Sequence, residues 1–261
     1  MPGAHARRPT AWTVRPIRTG VFEEAEVSFL FYMREEWGRK IPAIYWMFLL
    51  EDGRHRVLVD TGPASPEFGR RHHHDYTRTP EEEPIAALAR LGVRPEQIDL
   101  VVNTHLHWDH CGHNDAFPNA TVYVQAEELV EALHCNPSHR IFYTDPRAWP
   151  PWLRAIDRTV PLRGDAELLP GLRALHLPGH TDGFQGVLAE TDRGRPILIA
   201  GDAVPYLTNL YPPDGGSPAI SGIHMSGVRE YYRTFERIRA LDPLHVMPGN
   251  DPAIGERELY P

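Results

Sequence analysis

From Thr104 to His113 the chain reads THLHWDHCGH, a stretch crowded with potential metal ligands. His105 and His107 are two residues apart. In extended backbone their side chains point the same way and can share one cation. Asp109 and His110 follow after the chain has turned and can face a second position nearby. Imidazole and carboxylate donors together suit zinc or a similar borderline divalent ion, at about 2.0–2.2 Å. A lone HxH is weak evidence, but HxHxDH directly behind an apolar strand is specific.

Two later stretches supply matching donors. Leu177-Pro178-Gly179-His180-Thr181 ends a strand with a histidine behind a tight turn, and Ala200-Gly201-Asp202 ends another with an acid. A carboxylate at Asp202 could bridge two cations held roughly 3.5–4 Å apart, a pair that can share and deprotonate a water. Near the C-terminus HVMPGND places Asn250 just past another short strand.

The elements that must position these residues follow from periodicity. Ile44–Leu50 and Arg56–Asp60 read as a hairpin turning at Glu51-Asp52-Gly53, and Ile98–Asn103 as a strand buried on both faces. Thr121–Gln125, Leu172–Leu177, Gly186–Ala189, Ile197–Ala200 and His245–Met247 read as further strands. Helices are expected over Pro84–Leu91, Ala126–Leu133 and Met225–Leu241, and an exposed polar loop over Glu67–Pro80. Residues 136–160, rich in proline and aromatics, read as an insertion or lid. The two halves each place ligand-type residues at strand ends. The expectation is one α/β domain over residues 1–261, two sheets flanked by helices.

Composition narrows the chemistry. The net charge is −8, so no basic field exists to attract a phosphate backbone, which counts against nucleic-acid partners. The opening MPGAHARRPT lacks an apolar signal segment. The longest apolar run, IYWMFLL, falls far short of the ~20 residues that span a bilayer. Two cysteines make no disulfide framework. The expected setting is the cytoplasm, without a membrane partner.

HLHWDH, PGHT and GD, in this order, resemble the metallo-β-lactamase superfamily over about Ile44 to Pro252. VLVDTG at Val57–Gly62 is similar to the family's strand and turn beneath the site. The resemblance implies the αββα metallo-β-lactamase-type sandwich of two mixed sheets. It implies that His105, His107 and His180 hold a first metal, Asp109 and His110 a second, and Asp202 bridges them. The wording THLHWDHCGHNDAFPNA, LHLPGHTDGFQGVL and AGDAV is most like the N-acyl-homoserine lactone lactonase group. That group opens lactones with two metals and a tyrosine on the substrate carbonyl, for which Tyr206 is the candidate here. The implied reaction is attack by hydroxide, generated at the metals, on the carbonyl of a small acyl substrate. Asp109 would orient the nucleophile and pass a proton to the leaving alkoxide.

One departure stands out. The family pattern ends in a histidine where this chain has Asn250, and an amide oxygen is a poorer zinc ligand than imidazole. The second of the two zinc positions is therefore expected to be the weaker, with other divalent ions as substitutes. Competing readings are a thioester or cyclic amide hydrolase of the same fold, or a non-catalytic metal-binding protein with a degraded second site. His72-His73-His74-Asp75 reads as a solvated or substrate-facing loop, because adjacent residues alternate in direction. His245 and Cys111 read as packed residues. Trp108, Phe142, Tyr143, Trp149 and Trp152 read as pocket wall, core cover or a homodimer contact.

Overall fold

Fourteen residues, Thr13–Glu26, form an edge strand that no clear alternation in the sequence announces. Pro16 and a broken polar alternation hide it, and both are tolerated at an edge, where one row of backbone groups needs no ladder partner. The computed structural model describes residues 11–34, 36–143 and 149–261. The N-terminal stretch read for a signal, and residues 144–148 of the expected insertion, lie outside the described residues.

The first sheet has six strands in sequence order: β1 (Thr13–Glu26), β2 (Lys40–Glu51), β3 (Arg56–Val59), β4 (Leu100–Val102), β5 (Thr121–Gln125) and β6 (Thr159–Leu162). β1, β2 and β3 run antiparallel, and β3 to β6 pair in parallel. The second sheet comprises β7 (Ala166–Leu169), β8 (Leu172–His176), β9 (Gln185–Ala189), β10 (Ile197–Gly201) and β11 (His245–Pro248). Their spatial order is β11-β10-β9-β8-β7. The predicted hairpin is β2–β3, with Phe48 opposite Val59.

Alternation along the strands builds the layers. Phe48, Leu50, Val57, Val59 and Val102 meet Leu172, Val187, Ile197 and Ile199 between the sheets. The intervening residues Met47, Leu49, Leu58 and Val101 face outward to Leu88 of a helix at Pro84–Arg90. On the far side Leu175, Leu188 and Leu198 meet Tyr231, Phe235 and Ile238 of the helix Val228–Ala240. The arrangement is helix, sheet, sheet, helix. Burial of this much apolar area on both faces of both sheets is the main stabilising term.

Two expectations need correction. Glu67–Pro80 is not all loop: Pro66–His72 is helical, with the Ser65 side chain accepting from the Phe68 N–H and Pro66 in the first turn. The Ser-Pro-Glu signature of a helix start was present but outweighed by polarity. The segment 136–160 is partly core. Tyr143 and Trp152 are buried with Leu106 and Cys111, Phe142 faces the cleft described below, and Trp149 is 75% exposed.

The ligand-bearing loop after β4 is clamped to the turn after β3 through Gly112. Its N–H donates to the Gly62 carbonyl at 2.9 Å. A Cβ at Gly112 would lie 2.2 Å from Ala64 N and 2.5 Å from Pro63 C, both backbone atoms that cannot swing aside. Gly112→Ala is therefore expected to lower stability by about 3 kcal/mol, read as a fall in the urea midpoint. A midpoint equal to wild type would show that the clamp is loose.

Candidate metal centre

The parallel strands β3, β4, β10 and β11 deliver their C-terminal ends to one edge of the sandwich, where loops can converge on a ligand. His105 and His107 follow β4, His180 lies in the loop between β8 and β9, Asp202 follows β10 and Asn250 follows β11. Gln185 ties the two halves together beneath them. Its N–H donates to the Thr104 carbonyl and its side chain to the Asn103 carbonyl, each at 2.8 Å.

Three imidazoles meet. His105 Nε2 lies 2.8 Å from His107 Nδ1, and His180 Nε2 lies 3.2 Å from that same atom. Among the described residues, His105, His107 and His180 form one group that could hold a metal, and His105, His110 and Asp202 another. Burial pushes the first three imidazoles down, His105 and His107 well below the usual histidine range and His180 to about 4. They are neutral at pH 7, with lone pairs available.

His110 differs because carboxylates surround it. Burial opposes its charge, yet Asp202, Asp109 and Asp60 together hold its pKa well above the usual value. Its Nδ1 lies 2.8 Å from Asp60 Oδ2, which fixes the ring. Its Nε2 then faces Asp202 Oδ2 at 3.4 Å and Asp109 Oδ2 at 3.7 Å. The same Asp202 oxygen lies 3.6 Å from His180 Nε2, so one carboxylate oxygen stands between the two groups. His110 Nε2 and Asp202 Oδ1 are buried without a hydrogen-bond partner among the described residues. Converging neutral imidazoles, an orphaned nitrogen and an orphaned carboxylate oxygen are the donor set a divalent cation satisfies. Burial raises Asp109 to about 6, with the His110 charge opposing that rise.

Asn250 lines the cleft beside Asp202. Its Nδ2 donates to the Ile44 carbonyl at 3.3 Å, which leaves Oδ1 as the amide atom available to the cleft. Tyr206 is placed elsewhere. Its hydroxyl donates to the Pro42 carbonyl, its ring packs on Phe31, and it lines a separate groove with Arg34 and Ile41. Pro205 precedes it, and Tyr206 caps the short helix Leu207–Leu210. The carbonyl contact that the resemblance implied for Tyr206 is not offered by this geometry. His245 stacks edge-on to Tyr260, away from the cleft, and the Cys111 thiol donates to the His107 carbonyl.

The cleft above the donors is lined by Phe22, Phe29, Leu30, Tyr45, His74, Trp108, Phe142 and Ile223, among others. Phe29 and Phe142 approach with ring centroids 6.4 Å apart across it. The free space there is about 50 Å³.

Two supporting carboxylates lie outside the metal motif. Asp60, in left-handed backbone at φ 60°, accepts from the Thr104 N–H at 2.7 Å and hydroxyl at 2.8 Å as well as meeting His110. Glu128, on the helix Ala126–His134, accepts from the Leu106 N–H at 2.8 Å, Tyr143 at 3.0 Å and the Thr181 hydroxyl at 2.5 Å. It thereby joins the loops of His105–His107 and His180. An acid on an otherwise amphipathic helix gives no sign of inward aim, so only the fold reveals it.

Burial raises Glu128 to about 7, although its three donors pull the other way. A carboxyl raised in the folded state favours folding fully below its unfolded pKa and loses that contribution as pH climbs through the folded value. Across pH 5 to 8, Glu128→Gln should therefore gain stability relative to wild type by on the order of 2 kcal/mol. Urea midpoints of both proteins at the two pH values measure this. A difference independent of pH would show that the carboxyl is not strained by burial.

Comparison with known proteins bears on the same residues. An N-acyl homoserine lactonase of Bacillus sp is 33% identical over 175 residues, 64% of this chain and 66% of the relative. The matched stretch thus falls just short of two thirds of that relative's length. The N-acyl homoserine lactonase AttM of Azorhizobium caulinodans is 27% identical over 77% of this chain and 76% of its own. Among solved structures, an N-acyl homoserine lactone hydrolase with N-hexanoyl-L-homoserine at its catalytic metal centre superposes with a TM-score of 0.73. It is 22% identical and covers 95% of this chain and 96% of that one. The likeness extends the αββα fold over almost the whole chain. Residues 42–249 match the metallo-β-lactamase superfamily, and the chain belongs to it.

Proposed function

We propose that the protein is a metal-dependent hydrolase that opens N-acyl homoserine lactones or closely related lactones. The observation that carries this is the convergence of His105 Nε2, His107 Nδ1 and His180 Nε2 within 3.2 Å links, with Asp202 Oδ2 between His180 and His110. The lactonase relatives support the substrate class. In this reading His105, His107 and His180 would hold one ion, Asp109, His110 and Asn250 would contribute to a second, and Asp202 would serve both. Zinc is the proposed metal. Bound there, it supplies Lewis acidity and lowers the pKa of a water toward ~7.

The chain's own residues do the rest. Phe22, Phe29, Leu30 and Phe142 offer an apolar wall to an acyl chain and exclude water once it is seated. Asp109, 3.7 Å from His110 Nε2, would orient the nucleophile and pass a proton to the leaving alkoxide oxygen. Asp60 fixes the His110 ring so that Nε2 faces the cleft carboxylates. Among the described residues no helix is long and apolar enough to cross a membrane.

The direct test is hydrolysis of N-hexanoyl homoserine lactone by zinc-loaded protein, followed by proton release. Absence of turnover at every metal loading would overturn the reading. His107→Ala should lose both bound metal and activity, whereas wild-type metal content in that variant would show the ligand assignment to be wrong.

Asn250 makes the second site the weaker one, because a neutral amide oxygen stands where an imidazole would bind zinc more tightly. Activity should rise with added divalent metal beyond one equivalent. Asn250→His should raise second-site occupancy at limiting metal, read by elemental analysis after buffer exchange. Equal stoichiometry and affinity in both proteins would defeat the idea of a weakened site.

A further inference from the structure

The cleft contains a phenol that neither the motif nor the family resemblance singles out. Tyr45 projects from β2 at the same edge as the ligands, three residues beyond the Phe48–Val59 pair. Its hydroxyl lies 2.6 Å from His74 Nε2, in the histidine run expected to form a solvated or substrate-facing loop. Both residues line the cleft together with His107, Asp109, Asp202 and Asn250. Resting on the hydrolase reading above, we propose that Tyr45, positioned by His74, is the hydrogen-bond donor to the scissile carbonyl oxygen of the lactone.

Three observations carry this. The first is orientation. The Tyr45 ring is held edge-on by Tyr76 at 5.4 Å and by Trp108 at 6.1 Å. His74 is wedged between Phe22, at 4.5 Å, and Trp108, at 5.2 Å. A donor locked by aromatic packing costs little reorganisation when charge develops on its partner, which is where such donors contribute most. The second is protonation. Burial holds the Tyr45 phenol above its usual range and keeps His74 below its own. At neutral pH the phenol keeps its proton and the imidazole is uncharged, so the pair can donate toward substrate without losing a charge to solvent. The third is vacancy of the role. The Tyr206 hydroxyl is engaged by the Pro42 carbonyl and its ring lies in another groove.

His74 acts through Tyr45. With Nε2 against the hydroxyl, it fixes the phenol's torsion before substrate arrives, and the hydroxyl turns from imidazole to carbonyl oxygen as substrate binds. No covalent change is required of either residue.

The test uses the metal-loaded full chain and N-hexanoyl homoserine lactone. Tyr45→Phe should lower kcat about a hundredfold, the scale of removing one oxyanion donor. Metal content and urea midpoint should stay at wild-type values and KM should change little. Tyr206→Phe should lose less than Tyr45→Phe. His74→Phe should lower kcat roughly tenfold and His74→Gln, which keeps a polar partner for the hydroxyl, should restore most of it. In the Tyr45→Phe background His74→Phe should cost nothing further, as expected when one residue works through the other. An active wild type with Tyr45→Phe at full kcat, or with only KM altered, overturns this assignment alone. So does a Tyr206→Phe variant that is the deader of the two. A wild type that opens no lactone overturns the hydrolase reading as well.

Discussion

Two imidazole nitrogens held within hydrogen-bonding distance of a third, deep in the protein, form an arrangement that protons satisfy poorly. His105 Nε2 and His180 Nε2 both converge on His107 Nδ1. One proton can bridge only one such pair, and further protons would put like charges a few ångströms apart in a poorly solvated space. A divalent cation removes the conflict by accepting all three lone pairs at once. Folding therefore has to impose this crowding before any ion arrives, and much of the architecture is explained by that requirement.

The imposition comes from both sheets. The His105–His107 loop hangs from β4 of the first sheet and the His180 loop from β8 of the second. Left to themselves, two loops on separate sheets would drift apart and relieve the repulsion. Gln185 binds the carbonyls of Asn103 and Thr104 across the gap, and Glu128 grips Leu106 and Thr181 from below. Asp60 completes the frame by holding Thr104 and turning His110. These are buried polar groups whose desolvation costs free energy. The interlayer apolar packing offsets that cost, and the gain is a rigid donor set on rigid elements.

Local chemistry was legible in the sequence where a motif is itself local. HxHxDH carries its own geometry, because His105 and His107 leave the end of β4 two residues apart and a turn redirects Asp109 and His110. The β2–β3 hairpin and the helix Val228–Ala240 were legible for the same reason, their periodicity being contained in the segment. The edge strand β1 was not, since Pro16 and the register shift between Arg18 and Gly20 break its alternation. Tyr206 was misplaced because spacing along the chain cannot tell which way a residue faces after Pro205. Tyr45 was invisible for the converse reason. In sequence it is one apolar-run residue among IYWMFLL, and only the sheet edge brings it to the cleft.

Asn250 shows how a fold can keep a position while changing its chemistry. Its backbone is fixed on both sides: its N–H donates to Pro205, and its carbonyl accepts from Ile44. Gly249 before it passes so close to Asp202 that a Cβ would lie 2.0 Å from Oδ1. The loop is thus pressed against the bridging carboxylate whatever side chain follows, and residue 250 must face the cleft. An amide there accepts more weakly than imidazole but can also donate, through Nδ2, to a carbonyl. In this chain that donor is spent on Ile44, the residue before Tyr45. The weakest candidate ligand is therefore anchored to the β2 residue that immediately precedes the cleft's phenol. A change that pulls Asn250 toward an ion pulls on the strand that carries Tyr45.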